Sequence, residues 1–135
     1  MTLPVTAALA ISMATLLLLL AIDTVRHRVR IRIPHGTAED AKLTSASRAH
    51  GNLAEHAPLA VILVALLEMS QANHIGLIVV SGAFILGRLL HIHGLYNPKE
   101  GGPPLSRSLG VILTWLVLLA LIVWTLVLLT GNLAD

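Results

Sequence analysis

The amino-acid sequence predicts an all-α membrane protein, a bundle of four transmembrane helices. Three observations predict it. Residues of the set AVILMFWYC make up 56% of the 135-residue chain, above the roughly 45–50% of a soluble domain. Charged residues make up only 12%, about half the soluble share, and mean hydropathy is +0.83. The apolar residues also fall into long runs, with all nine Lys and Arg toward one side of a four-span arrangement. So few charges cannot cover a soluble surface of this size. A soluble globular protein, a disordered chain and a collagen-like fibre are therefore excluded. The length fits one membrane domain over residues 1–135.

The first span is predicted over 3–22, which carries no charge and ends in five leucines. At 1.5 Å per residue it crosses a hydrocarbon core of about 30 Å. Pro4 suits a first helical turn. A signal peptide is the competing reading, but no Lys or Arg precedes the run, and Asp23 and arginines follow it. The second span is predicted as one long helix over 44–71. Only twelve uncharged residues separate Glu55 from Glu68, so its polar first part projects from the membrane or lines a cleft in it. Pro58 is a candidate kink. The third span is predicted over 74–95 and the fourth over 109–130. Trp115 and Trp124 near the ends of the fourth are either interfacial anchors or packing residues. The third connection, from Asn97 to Pro104, is all turn chemistry.

Charge sets the expected orientation. Arg26, Arg28, Arg30, Arg32, Lys42 and Arg48 follow the first span, while Arg88, Lys99 and Arg107 surround the end of the third. The second connection and both tails have no Lys or Arg. The positive-inside rule then places both basic loops in the cytoplasm and both termini on the non-cytoplasmic side.

Ionisable groups inside spans are expensive and should face the protein interior. Three stretches qualify. Arg48, Asn52 and Glu55 fall at i, i+4 and i+7 and share one helix face, which Leu59, Ile62 and Leu63 continue. They present a cation, an amide and an anion in a row, suited to a zwitterionic ligand; the plainer reading is a self-neutralising interfacial pair. Arg88 and His91 share a face at i, i+3; the plainer reading of Arg88 is snorkelling to the interface. Arg107 lies between Ser106 and Ser108 at the entry to the fourth span, where Ser106 is the expected N-cap. No metal is expected. His91 and His93 stand about 200° apart on a helix, and no zinc-like spacing occurs. The chain has no Cys, which excludes disulfides and a protein thiol nucleophile. The alternating arginines from Arg26 to Arg32 suit anionic lipid headgroups. Nucleic acid is not expected as a partner, because aromatic residues to stack bases are almost absent. Glu68 is expected at the membrane interface, and Asp23 is expected to pair with an Arg of the following loop.

The pattern Arg48-Ala-x-x-Asn52-x-x-Glu55-x-x-Pro58 resembles the second-helix signature of the MAPEG family, the membrane-associated proteins in eicosanoid and glutathione metabolism. Its form here looks like the bacterial branch. Gly87-Arg88-x-x-His91 is similar to the third-helix motif, and Pro104-x-x-Arg107-Ser108 resembles the start of the fourth helix. The resemblance covers nearly the whole chain. It implies a homotrimer in the bacterial cytoplasmic (inner) membrane, with glutathione as co-substrate bound between neighbouring subunits at the cytoplasmic face. By position, Arg48 and Asn52 would hold glutathione carboxylate or backbone groups, Glu55 its α-ammonium, and Arg88 a second carboxylate beside His91. Arg107 would be the catalytic arginine that stabilises the thiolate. Arg26 or Arg28 would complete the pocket. The chain departs from the family at His91 and Leu95, where some members have Tyr; Tyr96 is one residue away.

The implied activity is that of a glutathione-dependent transferase or peroxidase acting on a lipophilic small molecule that reaches the thiolate from the lipid. The alternative is a non-catalytic structural or ligand-binding protein of the same fold. A small proton-coupled exporter is a third reading. It needs a carboxylate near mid-bilayer; the first span has none, and Glu68 is near an end.

Overall fold

The computed structural model describes residues 2–134. Four helices account for most of them: α1 Pro4–Ile31, α2 Ala41–Met69, α3 His74–Tyr96 and α4 Leu105–Ala134. Each is long and apolar enough to cross a membrane. The sole extended pairing among the described residues is an isolated bridge from Lys99 to Gly102. It closes the turn predicted in the third connection, where Gly101 and Gly102 take φ of 85° and 153°.

The helices run past the expected spans. α1 continues from residue 22 to Ile31, α2 starts at Ala41 and stops at Met69, and α4 starts at Leu105. Hydropathy counts residues at lipid depth, whereas the hydrogen-bond ladder continues through any good helix former, Arg included. α4 therefore begins at Leu105, one residue before the expected Ser106 cap. The Pro104 carbonyl accepts from the Arg107 and Ser108 N–H groups at 3.0 and 3.2 Å, and Ser106 lies inside the first turn. α2 passes through Pro58 without a break, although proline removes one ladder bond there.

The ends are tied by specific contacts. α1 closes with Arg32 in the left-handed region, at φ 57° and ψ 41°. Its N–H and that of Ile33 reach back to the Val29 and Arg28 carbonyls, each at 3.2 Å. This is the Schellman arrangement, usually built on glycine; a side chain there costs roughly 1–2 kcal/mol. Asp40 caps α2, accepting from the Leu43 N–H at 2.8 Å and from Arg30 Nη2 at 2.7 Å. The Leu43 N–H, assisted by the Arg30 charge, holds the Asp40 carboxyl below the usual carboxylate range. Glu68, expected simply at the interface, caps α1 from the last turn of α2. Its carboxylate accepts from the Val5 N–H at 2.9 Å, the Thr6 N–H at 2.8 Å and Thr6 Oγ1 at 2.7 Å. An anion at a helix N-terminus satisfies otherwise orphaned donors.

Asp23 departs from expectation. It accepts from Tyr96 Oη at 2.6 Å and lies 3.5 Å from His27 Nε2, and among the described residues it forms no ion pair with an arginine. The helical extension of α1 carries the arginines away along the axis, while the end of α3 brings Tyr96 in.

These contacts make an up-and-down bundle. α1 packs mainly on α2, α3 mainly on α4, and α2 meets α3 between the pairs; among the described residues the backbones of α1 and α4 do not approach each other. Leu9, Met13, Leu53, Ala60, Val64, Leu77, Phe84 and Leu121 fill the shared core. α3 and α4 approach closely because glycines face backbone. A Cβ on Gly94 would lie 2.5 Å from Arg107 backbone, and one on Gly110 would collide with the backbone of His91 and Gly87. Small residues allow such approaches between membrane helices.

Candidate functional site

The close α3–α4 approach sets side chains of three helices around one hollow. Arg88 projects from the last third of α3 and is fully buried. Its Nη2 donates to Asn52 Oδ1 on α2, and its Nη1 lies 3.5 Å from Thr114 Oγ1 on α4. Thr114 is itself oriented by donating to the Gly110 carbonyl at 2.7 Å. His91, one turn along α3, is also buried. Two buried donor or acceptor atoms here, Arg88 Nε and His91 Nδ1, have no hydrogen-bond partner among the described residues. Unpaired buried polar atoms cost free energy and mark places where a ligand or solvent is expected.

The inner cavity measures about 240 Å³ and is lined by Arg48, Asn52, His56, Arg88, His91, Leu95, Arg107, Val111, Thr114 and Trp115. An outer hollow of about 790 Å³ shares Arg48, Leu95, Arg107 and Val111 with it and extends over Thr44, Ser45 and the loop from Pro98 to Pro104. Small-molecule sites typically occupy about 300–1,000 Å³; the outer hollow falls in that range, and the inner cavity, too small alone, continues it inward. Arg48, Arg88 and Arg107 all line the inner cavity, and among the described residues no carboxylate does. Arginine stays charged at any working pH. The lining is thus cationic, with hydroxyl, amide and imidazole groups beside it, at the end of the bundle where α1 and α3 finish and α2 and α4 start.

The structure gathers Arg48, Asn52, Arg88, His91 and Arg107 as cavity-lining residues. Glu55 is placed differently. It is exposed on the outer side of α2 and lines neither hollow. The shared face of α2 straddles a boundary: Asn52 turns inward, and Glu55 turns outward. Arg26 and Arg28 also line neither hollow within this chain. His56 and Thr114 also line the inner cavity, without a role expected from the sequence, and Trp115, expected as an interfacial anchor or a packing residue, lines it too. Their signals were present: Arg48, Asn52 and His56 run at i, i+4, i+8, and Arg107, Val111 and Thr114 at i, i+4, i+7. The His56 ring lies 2.8 Å from the Asn52 carbonyl through Nδ1. Trp124, the other α4 tryptophan, packs on α3, where a Cβ at Gly76 would sit 2.7 Å from its ring. Among the described residues no group of three His, Cys, Asp or Glu side chains is placed to hold a metal ion.

The fold and cavity define a class, a four-helix integral membrane protein with an arginine-lined hollow at one end. The family model of the MAPEG family matches residues 6–127. The chain is also similar to Inner membrane protein YecN of Escherichia coli, in each of two strains, at 31% identity over 118 residues, with 87% of either chain covered. This chain belongs to the MAPEG family.

Proposed function

We propose that the protein is a glutathione-dependent membrane transferase or peroxidase that acts on lipophilic electrophiles or lipid hydroperoxides. One observation carries the reading: three arginines, one fully buried, line a cavity to which no carboxylate among the described residues contributes. A buried cation needs a compensating partner. An anionic tripeptide supplies carboxylates to Arg48 and Arg88, hydrogen bonds to Asn52 and His91, and a thiol near Arg107.

Arg107 then has a defined task. A free thiol with a pKa of about 8.5 is only a few per cent ionised at pH 7. A guanidinium beside the sulfur favours the thiolate, and each unit of depression corresponds to about 1.36 kcal/mol. In conjugation the thiolate attacks an electrophilic carbon; a C–S bond forms and the displaced electron pair leaves with the leaving group. In peroxide reduction the thiolate attacks the distal oxygen. The O–O bond breaks, the lipid alkoxide takes a proton, and glutathione sulfenic acid reacts with a second glutathione to give the disulfide and water. Glu55 would accept the α-ammonium of glutathione from the outer side of α2, where a neighbouring subunit closes the pocket.

The exposed stripe of α2 supports that assembly. Arg48, Glu55, Leu59, Ile62, Leu66 and Met69 are all exposed and recur at alternating four- and three-residue spacing once Asn52 is included. That is a heptad seam. Facing lipid, its two charged residues would be costly; facing other copies, they line a shared site. The reading is a homotrimer packed along α2, in a bacterial inner membrane like that named for the relative, with the arginine-rich end in the cytoplasm.

The test is glutathione titration of the detergent-purified protein, followed by thermal shift and by thiolate absorbance in the ultraviolet. Wild type should bind saturably and raise the thiolate signal. Arg48→Ala should abolish binding, whereas Arg107→Ala should bind and lose the thiolate signal. Absence of any glutathione-dependent shift in wild type refutes the reading. Binding without turnover on a panel of electrophiles and hydroperoxides selects the non-catalytic alternative.

A further inference from the structure

We infer that the end of α1 carries a second site, for the phosphate of an anionic phospholipid. It is built by the extension of α1 beyond the span. Along α1 Arg26 and Arg30 share a face at i, i+4, while Arg28 pairs with Arg32, the left-handed residue that ends the helix. The pairs have different surroundings. Arg30 is bound to Asp40. Arg28 and Arg32 instead line a groove of about 360 Å³ with Val25, Val29, Ile33 and Pro34.

Three features make this groove a lipid site. Arg28 is held in place, its Nη1 donating to the Pro34 carbonyl at 3.3 Å, yet its Nε is buried without a partner among the described residues. Among the described residues neither Arg28 nor Arg32 forms an ion pair there, because Asp40 is taken by Arg30, and Asp23 by Tyr96 and His27. Arg32 also occupies the left-handed turn position at which glycine is the usual residue, so its cation is kept against backbone preference. The remaining surface is apolar and exposed. Ile22, Val25 and Val29 form a stripe at 46%, 58% and 71% exposure, running from the groove toward lipid depth. Two free guanidinium groups at the head of an apolar stripe match a phosphodiester joined to an acyl chain, since such groups bind phosphate oxygens strongly and basic residues beside a span recruit anionic lipid.

Native mass spectrometry of the full chain, purified with equimolar phosphatidylglycerol and phosphatidylcholine, tests this. Wild type should retain phosphatidylglycerol selectively. Arg28→Gln with Arg32→Gln should lower retention roughly 25-fold, at about a factor of five per arginine. Arg26→Gln with Lys42→Gln removes the same charge away from the groove and should lower retention far less than the groove pair does. Arg32→Gly separates binding from folding: it should preserve or raise thermal stability while retention falls about fivefold. Equal loss in the charge-matched control, equal retention of phosphatidylcholine, or displacement by millimolar inorganic phosphate would each overturn the inference. So would loss of glutathione binding in Arg28→Gln with lipid retention intact.

Discussion

Arg88 illustrates how one residue organises the site. A cation in the apolar last third of α3 costs insertion energy unless it is paired, and the chain solves this by burial against Asn52 and Thr114. Asn52→Leu should therefore cost about 2–3 kcal/mol, the value of a hydrogen bond to a charged group. Asn52→Asp, which keeps an acceptor, should not. Thermal unfolding in detergent compares the two, and equal stability would show that the contact does not hold Arg88. Packing decides that Arg88 turns inward rather than snorkelling to the interface, but the face it shares with His91 was legible from spacing alone. Glu55 was not. It lies only three residues from Asn52, and whether that arc of α2 faces the cavity or the outer side depends on how α2 is rotated against α3.

Elements are governed by their ends and by their closest approaches. Hydropathy located all four helices but stopped α1 at residue 22, and the true end at Ile31 is set by the Arg32 turn. Glu68 caps α1 across a separation of more than sixty residues, a role that no local pattern announces. Gly94 and Gly110 are likewise ordinary in sequence but decisive in space. Gly110→Ala drives a Cβ into the backbone of α3, and overpacking of this kind costs about 1–3 kcal/mol. Because the contact also spaces His91 from Arg107, ligand binding should weaken with stability. Gly82→Ala, at a position with nothing within 4 Å of its Cβ, should be neutral or stabilising by up to about 1 kcal/mol. Matched thermal melts of the two variants decide whether close backbone approach explains the packing of α3 on α4.

For the whole molecule, the question is what covers the α2 seam. Ile62 is 54% exposed at its centre, and Leu119 is 57% exposed on α4. Ile62→Trp should overpack a trimeric core and shift the detergent-solubilised protein toward monomer, whereas Leu119→Trp, facing lipid, should leave the trimer intact. Light scattering with detergent correction reads the mass directly. A trimer that survives Ile62→Trp would place the interface elsewhere.

The sequence by itself determined the class, the number of helices and the end of the bundle at which chemistry gathers, because hydropathy and the cost of charge in lipid are additive along the chain. It also named five of the side chains that line the cavity. Only the tertiary structure decided that His56, Thr114 and Trp115 join them, that Glu55 stands outside, and that Asp23 holds Tyr96 and His27. Those outcomes depend on the rotation and spacing of one helix against another. Contacts between distant residues set both, and no single segment contains them.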